Sequence, residues 1–214
     1  MARPTISVVT PVHPARLRNG MLDRAMRSVG DQTLLPDAVC LAYDVDGEGA
    51  APTRDRALRM ARTDWVAFLD SDDAFLPKHL QWLLHHAEET GADFVYSWFK
   101  VMQQFADGTT RVLEDDPVFP AGHYLNDFDP DHPIEVTVTT FVRTDLAQAV
   151  GFKALDRGHD ANTGEDYGFL LGCLGAGAKV SHLKRKSWLW VHHQLPSGGG
   201  VGNTSGQPTK GDAA

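Results

Sequence analysis

Three carboxylates fall within four residues of Phe68-Leu69-Asp70-Ser71-Asp72-Asp73, directly after an apolar run. Like charges this close repel one another, and a cation or a donor-rich ligand relieves the repulsion. In extended backbone alternate residues point the same way, so Asp70 and Asp72 are expected to address one ion. Oxygen ligands favour Mg²⁺ or Mn²⁺, ions that bridge protein carboxylates and substrate phosphates. A purely structural account also exists, in which the acids cap a helix start. A calcium loop is excluded, because it needs another ligand and then Gly where Ala74 and Phe75 stand.

Two further groups carry chemistry. Gly164-Glu165-Asp166-Tyr167 opens a predicted helix. Acids there are stabilised by the helix dipole, but Asp166 beside a metal and an acceptor hydroxyl would serve as a general base. His192-His193 ends an aromatic strand, Trp188-Leu189-Trp190. Strand neighbours point to opposite faces, so at most one of the two faces a shared site, where a neutral imidazole would complete a carboxylate metal centre. The Gly-rich stretch from Gly198 to Gly206 is expected to be either a flap over phosphates or a loose tail. Gly47-x-Gly49 lacks the third glycine of a dinucleotide fingerprint. Cys40 and Cys173 lack zinc or redox spacing and are expected to be buried free thiols.

These residues need elements to position them. Residues 5–10 read as a buried strand, 19–32 as an amphipathic helix, 38–43 as a second strand and Pro52 onward as a short helix. Residues 65–69 form a third strand, 77–90 a helix stopped by Gly91, and 94–100 a fourth strand. The alternation predicts an α/β fold with a mostly parallel sheet covered by helices on both faces. Ligands then bind beyond the carboxyl ends of the strands, where the acid cluster lies. The second half is less regular: a short strand near 110–114, a strand over 137–143, a helix from Thr144 to Gly151, a helix over 165–175, and strands over 178–183 and 187–192.

The whole chain has 214 residues, 42% of them hydrophobic, and a formal charge of −8. That composition supports one domain of ordinary size and opposes a nucleic-acid-coating function, which needs a positive field. Lys184-Arg185-Lys186 reads as a solvated strand edge. No apolar run reaches the roughly 18 residues of a membrane span, and no secretory leader is visible, so a cytoplasmic protein without membrane insertion is expected.

Taken in order, Ile6-Ser7-Val8-Val9-Thr10-Pro11-Val12, Ser28-Val29-Gly30-Asp31-Gln32-Thr33, Thr53-Arg54-Asp55-Arg56-Ala57-Leu58 and the Asp70-x-Asp72 cluster resemble the family 2 glycosyltransferases of GT-A fold. Gly164-Glu165-Asp166-Tyr167 and the late histidine pair extend the resemblance over roughly residues 5–195. It implies one GT-A domain over 1–196, a Rossmann-like sheet with a nucleotide-binding half (1–100) and a smaller, mixed acceptor-side half (101–196), followed by a flexible segment over 197–214.

The resemblance also implies an inverting transfer of sugar from a nucleotide-sugar donor, a UDP-sugar by family tendency, to an acceptor hydroxyl, assisted by Mn²⁺ or Mg²⁺. Thr10, Pro11 and Val12 would line the base pocket, Asp44 would accept a hydrogen bond from the base, and Arg54 would lie against the nucleotide. Asp70 would contact ribose or metal-bound water, and Ser71 would share the donor site. Asp72 would bind the metal directly, Asp166 would be the base, and His193 or His192 would be a further metal ligand. Asp55 stands where the family usually has Asn. A saccharide, a protein side chain or a modified nucleobase would be the acceptor, with His159 and Asp160 near it. The alternatives are a haloacid-dehalogenase-like phosphotransferase using Asp70 and a nucleotide-sugar binder without turnover. The phosphotransferase pattern continues with Gly and then Thr or Val, where this chain has Asp73 and Ala74.

Overall fold

The structure is a computed structural model. It describes residues 2–18, 20–105, 109–113, 123–133, 137–153 and 164–193. The strands are β1 (Ile6–Val12), β2 (Ala38–Tyr43), β3 (Trp65–Phe68), β4 (Ala74–Phe75), β5 (Phe94–Gln104), β6 (Thr110–Leu113), β7 (Thr140–Arg143) and β8 (Val180–His193). The helices are α1 (Pro14–Arg18), α2 (Met21–Gly30), α3 (Ala50–Leu58), α4 (His79–Thr90), α5 (Thr144–Val150) and α6 (Glu165–Gly175).

One sheet runs in the order β2-β1-β3-β7-β5-β8-β4, with β6 attached to β5. Period-2 alternation sorts its side chains into two cores. Ile6, Val8, Trp65, Ala67 and Leu69 face one core with Ala25 and Val29 of α2 and Leu80, Leu83 and Ala87 of α4. Val9, Val66, Phe68, Phe94 and Tyr96 face the other, with Ala57 and Leu58 of α3, Ala147 of α5 and Leu170 and Cys173 of α6. Each fully buried Leu, Val or Phe contributes roughly 1.5–3 kcal/mol, so both helical layers are held chiefly by apolar burial. The expected α/β architecture with helices on both faces is therefore present.

Several expectations are refined. The sheet is parallel within β2-β1-β3 and between β5 and β8, but β7 enters antiparallel between β3 and β5. The helix expected over 19–32 is α2, Met21–Gly30, which starts after Gly20 in a left-handed conformation, and α1 is a separate short helix before it. The strand expected over 137–143 begins at Thr140. The two late strands are one, β8, whose register against β5 shifts between Ser97 and Phe99. Lys184, Arg185 and Lys186 lie on that irregular stretch: Lys184 pairs with Asp127 at 2.7 Å, and Arg185 covers the Trp82 ring at 4.9 Å. Both cysteines are free and buried. His159, Asp160 and the Gly-rich segment lie outside the described residues. Among the described residues no helix is long and apolar enough to cross a membrane.

Candidate active site

The chain between β3 and β4 does not stay extended. Ser and Asp favour turns, and the Asp73 amide donates to the Asp70 carbonyl at 3.1 Å. The turn gives the acids different partners. Asp70 Oδ1 receives Arg54 Nη2 at 2.8 Å, whereas Asp72 Oδ2 pairs with Arg16 Nη2 of α1 at 2.8 Å. Arg24 of α2 donates to the Asp72 carbonyl at 2.8 Å. Asp73 is buried and accepts the Val191 amide at 2.9 Å. That bond brings the β8 backbone leading into His192 and His193 beside the acid cluster. The side chains of those two histidines lie outside the described atoms.

Arg54 is the hub. It belongs to α3, whose start is set by Gly49 at φ +97, where the Thr53 hydroxyl donates to the Gly49 carbonyl at 2.8 Å. Its side chain is 2% exposed and lies over the Phe152 ring at 5.0 Å. Nη1 contacts Glu165 Oε1 at 2.5 Å and stands 3.7 Å from Asp166 Oδ1. One guanidinium thus reaches the acid turn after β3, 16 residues on, and the first turn of α6, 111 residues on. Glu165 and Asp166 do begin a helix, in its first turn after the N-cap residue Gly164. The acids keep a solvent face: 32% of the Asp70 side chain, 25% of Glu165, 29% of Asp166 and 18% of Asp72.

Electrostatics follow from this crowding. Burial pushes the Asp70 carboxyl above its ordinary value, Arg54 opposes, and Asp72 adds to the rise. Asp73 is raised well above the usual range, first by burial and then by Asp72 and Asp70. Burial works against the charge on Arg54, yet Asp70, Asp166 and Glu165 together hold its pKa above the ordinary arginine value. Burial lowers Arg24, with Asp73 and Asp72 opposing. Five carboxyl groups (Asp70, Asp72, Asp73, Glu165, Asp166) thus crowd around three guanidiniums (Arg16, Arg24, Arg54). Among the described residues no three His, Cys, Asp or Glu side chains converge at metal-binding spacing.

The residues expected to line a base pocket end β1. Thr10, Pro11 and Val12 pair with Leu41, Ala42 and Tyr43, and all three are buried. The Thr10 hydroxyl has no hydrogen-bond partner among the described residues. After β2, Asp44 is buried and Asp46 exposed. Asp44 accepts the Glu48 amide at 2.8 Å and the Gly49 amide at 3.1 Å, so its carboxylate already shapes the loop into α3. Ser71 is buried within the acid turn. Arg16, Arg24 and the Arg54–Glu165 pair were not foreseen. For Arg54 a signal existed: it lies three and four residues before Ala57 and Leu58, inside an otherwise apolar helical stripe. A separate cavity of about 560 Å³ lies elsewhere, lined by Asp64, Asp93, Arg143 and Thr144 among others, and shares no residue with the acid cluster.

Comparisons with known proteins bear on the family and the fold. The family model described as "Glycosyl transferase family 2" matches residues 39–151. Bacillus subtilis (strain 168) TuaG, whose name describes a teichuronic acid biosynthesis glycosyltransferase, is 27% identical over 50% of this chain and 50% of its own length. S. aureus TarS 1–349 in complex with UDP superposes with a TM-score of 0.64 at 17% identity, covering 87% of this chain and 60% of that one. The complex of TarS 1–349 with UDP-GlcNAc gives a TM-score of 0.66 at 17% identity, covering 89% and 59%. At that identity the likeness shows the fold, which is of GT-A type. The chain spans about half the length of TuaG and about three-fifths of TarS 1–349.

Proposed function

This chain belongs to glycosyl transferase family 2, and from that premise we propose that it moves a sugar from a UDP-sugar to an acceptor hydroxyl with inversion at the anomeric carbon. The observation that carries the reading is the double reach of Arg54, which ties Asp70 of the donor-side turn to the helix start bearing Asp166. A direct displacement needs those two groups within one substrate's length of each other. Asp166, 3.7 Å from a guanidinium and partly open to solvent, takes the acceptor proton as the oxygen attacks. Thr10, Pro11, Val12 and Asp44 border the nucleotide, and Asp70 and Ser71 border its ribose and diphosphate.

The surplus of carboxyl groups over guanidiniums suits a divalent cation. Asp72 and Asp70 would hold Mn²⁺ or Mg²⁺, with His193 or His192 as a further ligand, and Asp72 would exchange Arg16 for it. When bound, such an ion supplies positive charge to the departing diphosphate, which a chain of net charge −8 otherwise repels. The family match favours this reading over an aspartyl phosphotransferase. The acceptor is a saccharide, a protein side chain or a modified nucleobase, and the location is cytoplasmic.

TarS has been crystallised with UDP and UDP-GlcNAc, so UDP-GlcNAc heads the donor screen. Thermal unfolding with UDP, GDP, dTDP and their sugars, each with and without Mn²⁺, should show selective stabilisation by one nucleotide. Release of the nucleoside diphosphate from its sugar should then follow, accelerated by an acceptor. Stabilisation without any turnover would reduce the protein to a binder. No stabilisation by any of these nucleotides would remove the donor assignment.

A further inference from the structure

We infer that Asp73 is a positioning residue: its carboxylate, through the Val191 amide, fixes the end of β8 and the two histidines it carries against Asp72. The inference rests on the transferase reading and its ion, and deepens both.

Register is the first argument. β4 pairs antiparallel with β8, with Ala74 opposite Leu189 and Phe75 opposite Trp188. The Leu76 amide donates to the Ser187 carbonyl at 2.9 Å. Continued past Ala74, that register sets Asp72 opposite Val191 in a hydrogen-bonded pair, where the Asp72 carbonyl would receive the Val191 amide. Instead that carbonyl accepts Arg24 Nη2 of α2 at 2.8 Å, and the Val191 amide goes to Asp73 Oδ1 at 2.9 Å. The backbone has already left the sheet, with the Asp73 amide on the Asp70 carbonyl at 3.1 Å. A side-chain carboxylate thus stands in for a ladder acceptor at the register where the acid turn departs.

Placement is the second. Residue 73 adjoins Asp72 and residue 191 adjoins His192, positions 118 apart in sequence being joined by one bond. That bond couples the backbones carrying the acid and the histidines expected at the ion. Both Asp73 and Val191 are buried, so water does not compete for it. On its other side β8 follows β5 to the last pair, Gln104 with His193. β4 begins only at Ala74, so on that side the end of β8 is gripped by a side chain in place of a strand. A ligand set drawn from two elements works only within about 0.5 Å of its proper geometry, which gives such a tie its use.

Asp73→Asn and Asp73→Glu test this. Asparagine keeps the acceptor in place and removes the charge. Glutamate keeps the charge and shifts the acceptor by one methylene. Binding of UDP, or of whichever of GDP and dTDP stabilises the wild type, is titrated with and without Mn²⁺, and exchange of the Val191 amide is followed by NMR. The gain in affinity from Mn²⁺ should stay within about threefold of wild type in Asp73→Asn and fall at least tenfold in Asp73→Glu. Affinity without the ion should stay within about threefold in both. The Val191 amide should exchange slowly in Asp73→Asn and at least tenfold faster in Asp73→Glu. Loss of the Mn²⁺ gain in Asp73→Asn would overturn the inference and make the charge of Asp73, as a ligand, the essential feature. A gain near wild type in Asp73→Glu would overturn it too, leaving the bond to the sheet edge alone. Should Asp73→Glu not fold, Asp73→Ala removes the acceptor without added bulk and carries the same expectations. If the wild type shows no response to Mn²⁺, the ion reading fails on its own account. Exchange at Val191 still decides: acceleration in Asp73→Glu supports Asp73 as the tie, and an unchanged rate rejects it.

Discussion

Among single residues, Asp166 and Asp72 separate proton transfer from donor capture. Asp166 stands 3.7 Å from Arg54, the same guanidinium that binds Asp70. Asp166→Asn keeps the shape of the side chain and removes its basicity, so turnover should fall by about 10²-fold or more while nucleotide affinity is kept. Single-turnover kinetics beside calorimetry measure both quantities, and near-normal turnover would remove Asp166 from the mechanism. Asp72 is held by Arg16 at 2.8 Å. Asp72→Ala should abolish the Mn²⁺-dependent part of UDP binding and leave any ion-independent part, measured by titrating UDP with and without Mn²⁺. Persistent Mn²⁺ stimulation would count against Asp72 as the ligand.

Elements set what those residues can do, and here the connection between α5 and the Arg54 cluster matters most. Gly151 closes α5 at φ +65, and a Cβ there would lie 2.8 Å from Asp55 Oδ1. Gly151→Ala should therefore cost about 1–3 kcal/mol, through the left-handed backbone and the displaced Asp55 carboxylate. Urea unfolding measures the loss, and an unchanged midpoint would show that the turn relaxes freely. The elements themselves were legible wherever the apolar period was clean: Ala38–Tyr43 and Glu165–Gly175 have the bounds their patterns predict. Neighbour order was not legible. Thr140-Phe141-Val142-Arg143 declares itself a strand, but nothing in four residues says that it will run antiparallel between β3 and β5. The acid cluster could be read as chemistry, yet its turn and its arginine partners could not. They arise from contacts between α1, α2, α3 and α6 that no local window contains. The Glu165–Arg54 pair spans 111 residues, beyond the reach of periodicity.

At the scale of the whole molecule, the far side of the sheet sets the response to acid. His79 of α4 is buried, stacks on Phe75 at 4.1 Å and shares a proton with Ser187 of β8 at 2.7 Å. Burial pushes its imidazole down to about 3, against 6.5 when exposed. Between those values the unfolded chain binds a proton that the folded chain refuses. Stability from this site is thus fully present above pH 6.5 and is lost as pH falls towards 3, by up to about 1.4 kcal/mol per pH unit. Denaturant titrations at stepped pH should show His79→Asn less stable than wild type at neutrality but with a shallower acid limb. An equal slope in both proteins would assign the acid sensitivity to other groups.

Cys40 and Cys173 sit in the same core, 5% and 0% exposed, and burial raises both thiols, that of Cys173 to about 12. A thiol held protonated and enclosed does not attack an electrophile. The native chain should thus ignore a maleimide that labels the denatured chain at once. The rate of labelling under native conditions becomes a clock for breathing of the layer that carries α3, α5 and α6. If a nucleoside diphosphate slows that clock, the ligand has tightened the interior from a distance, without an engineered probe.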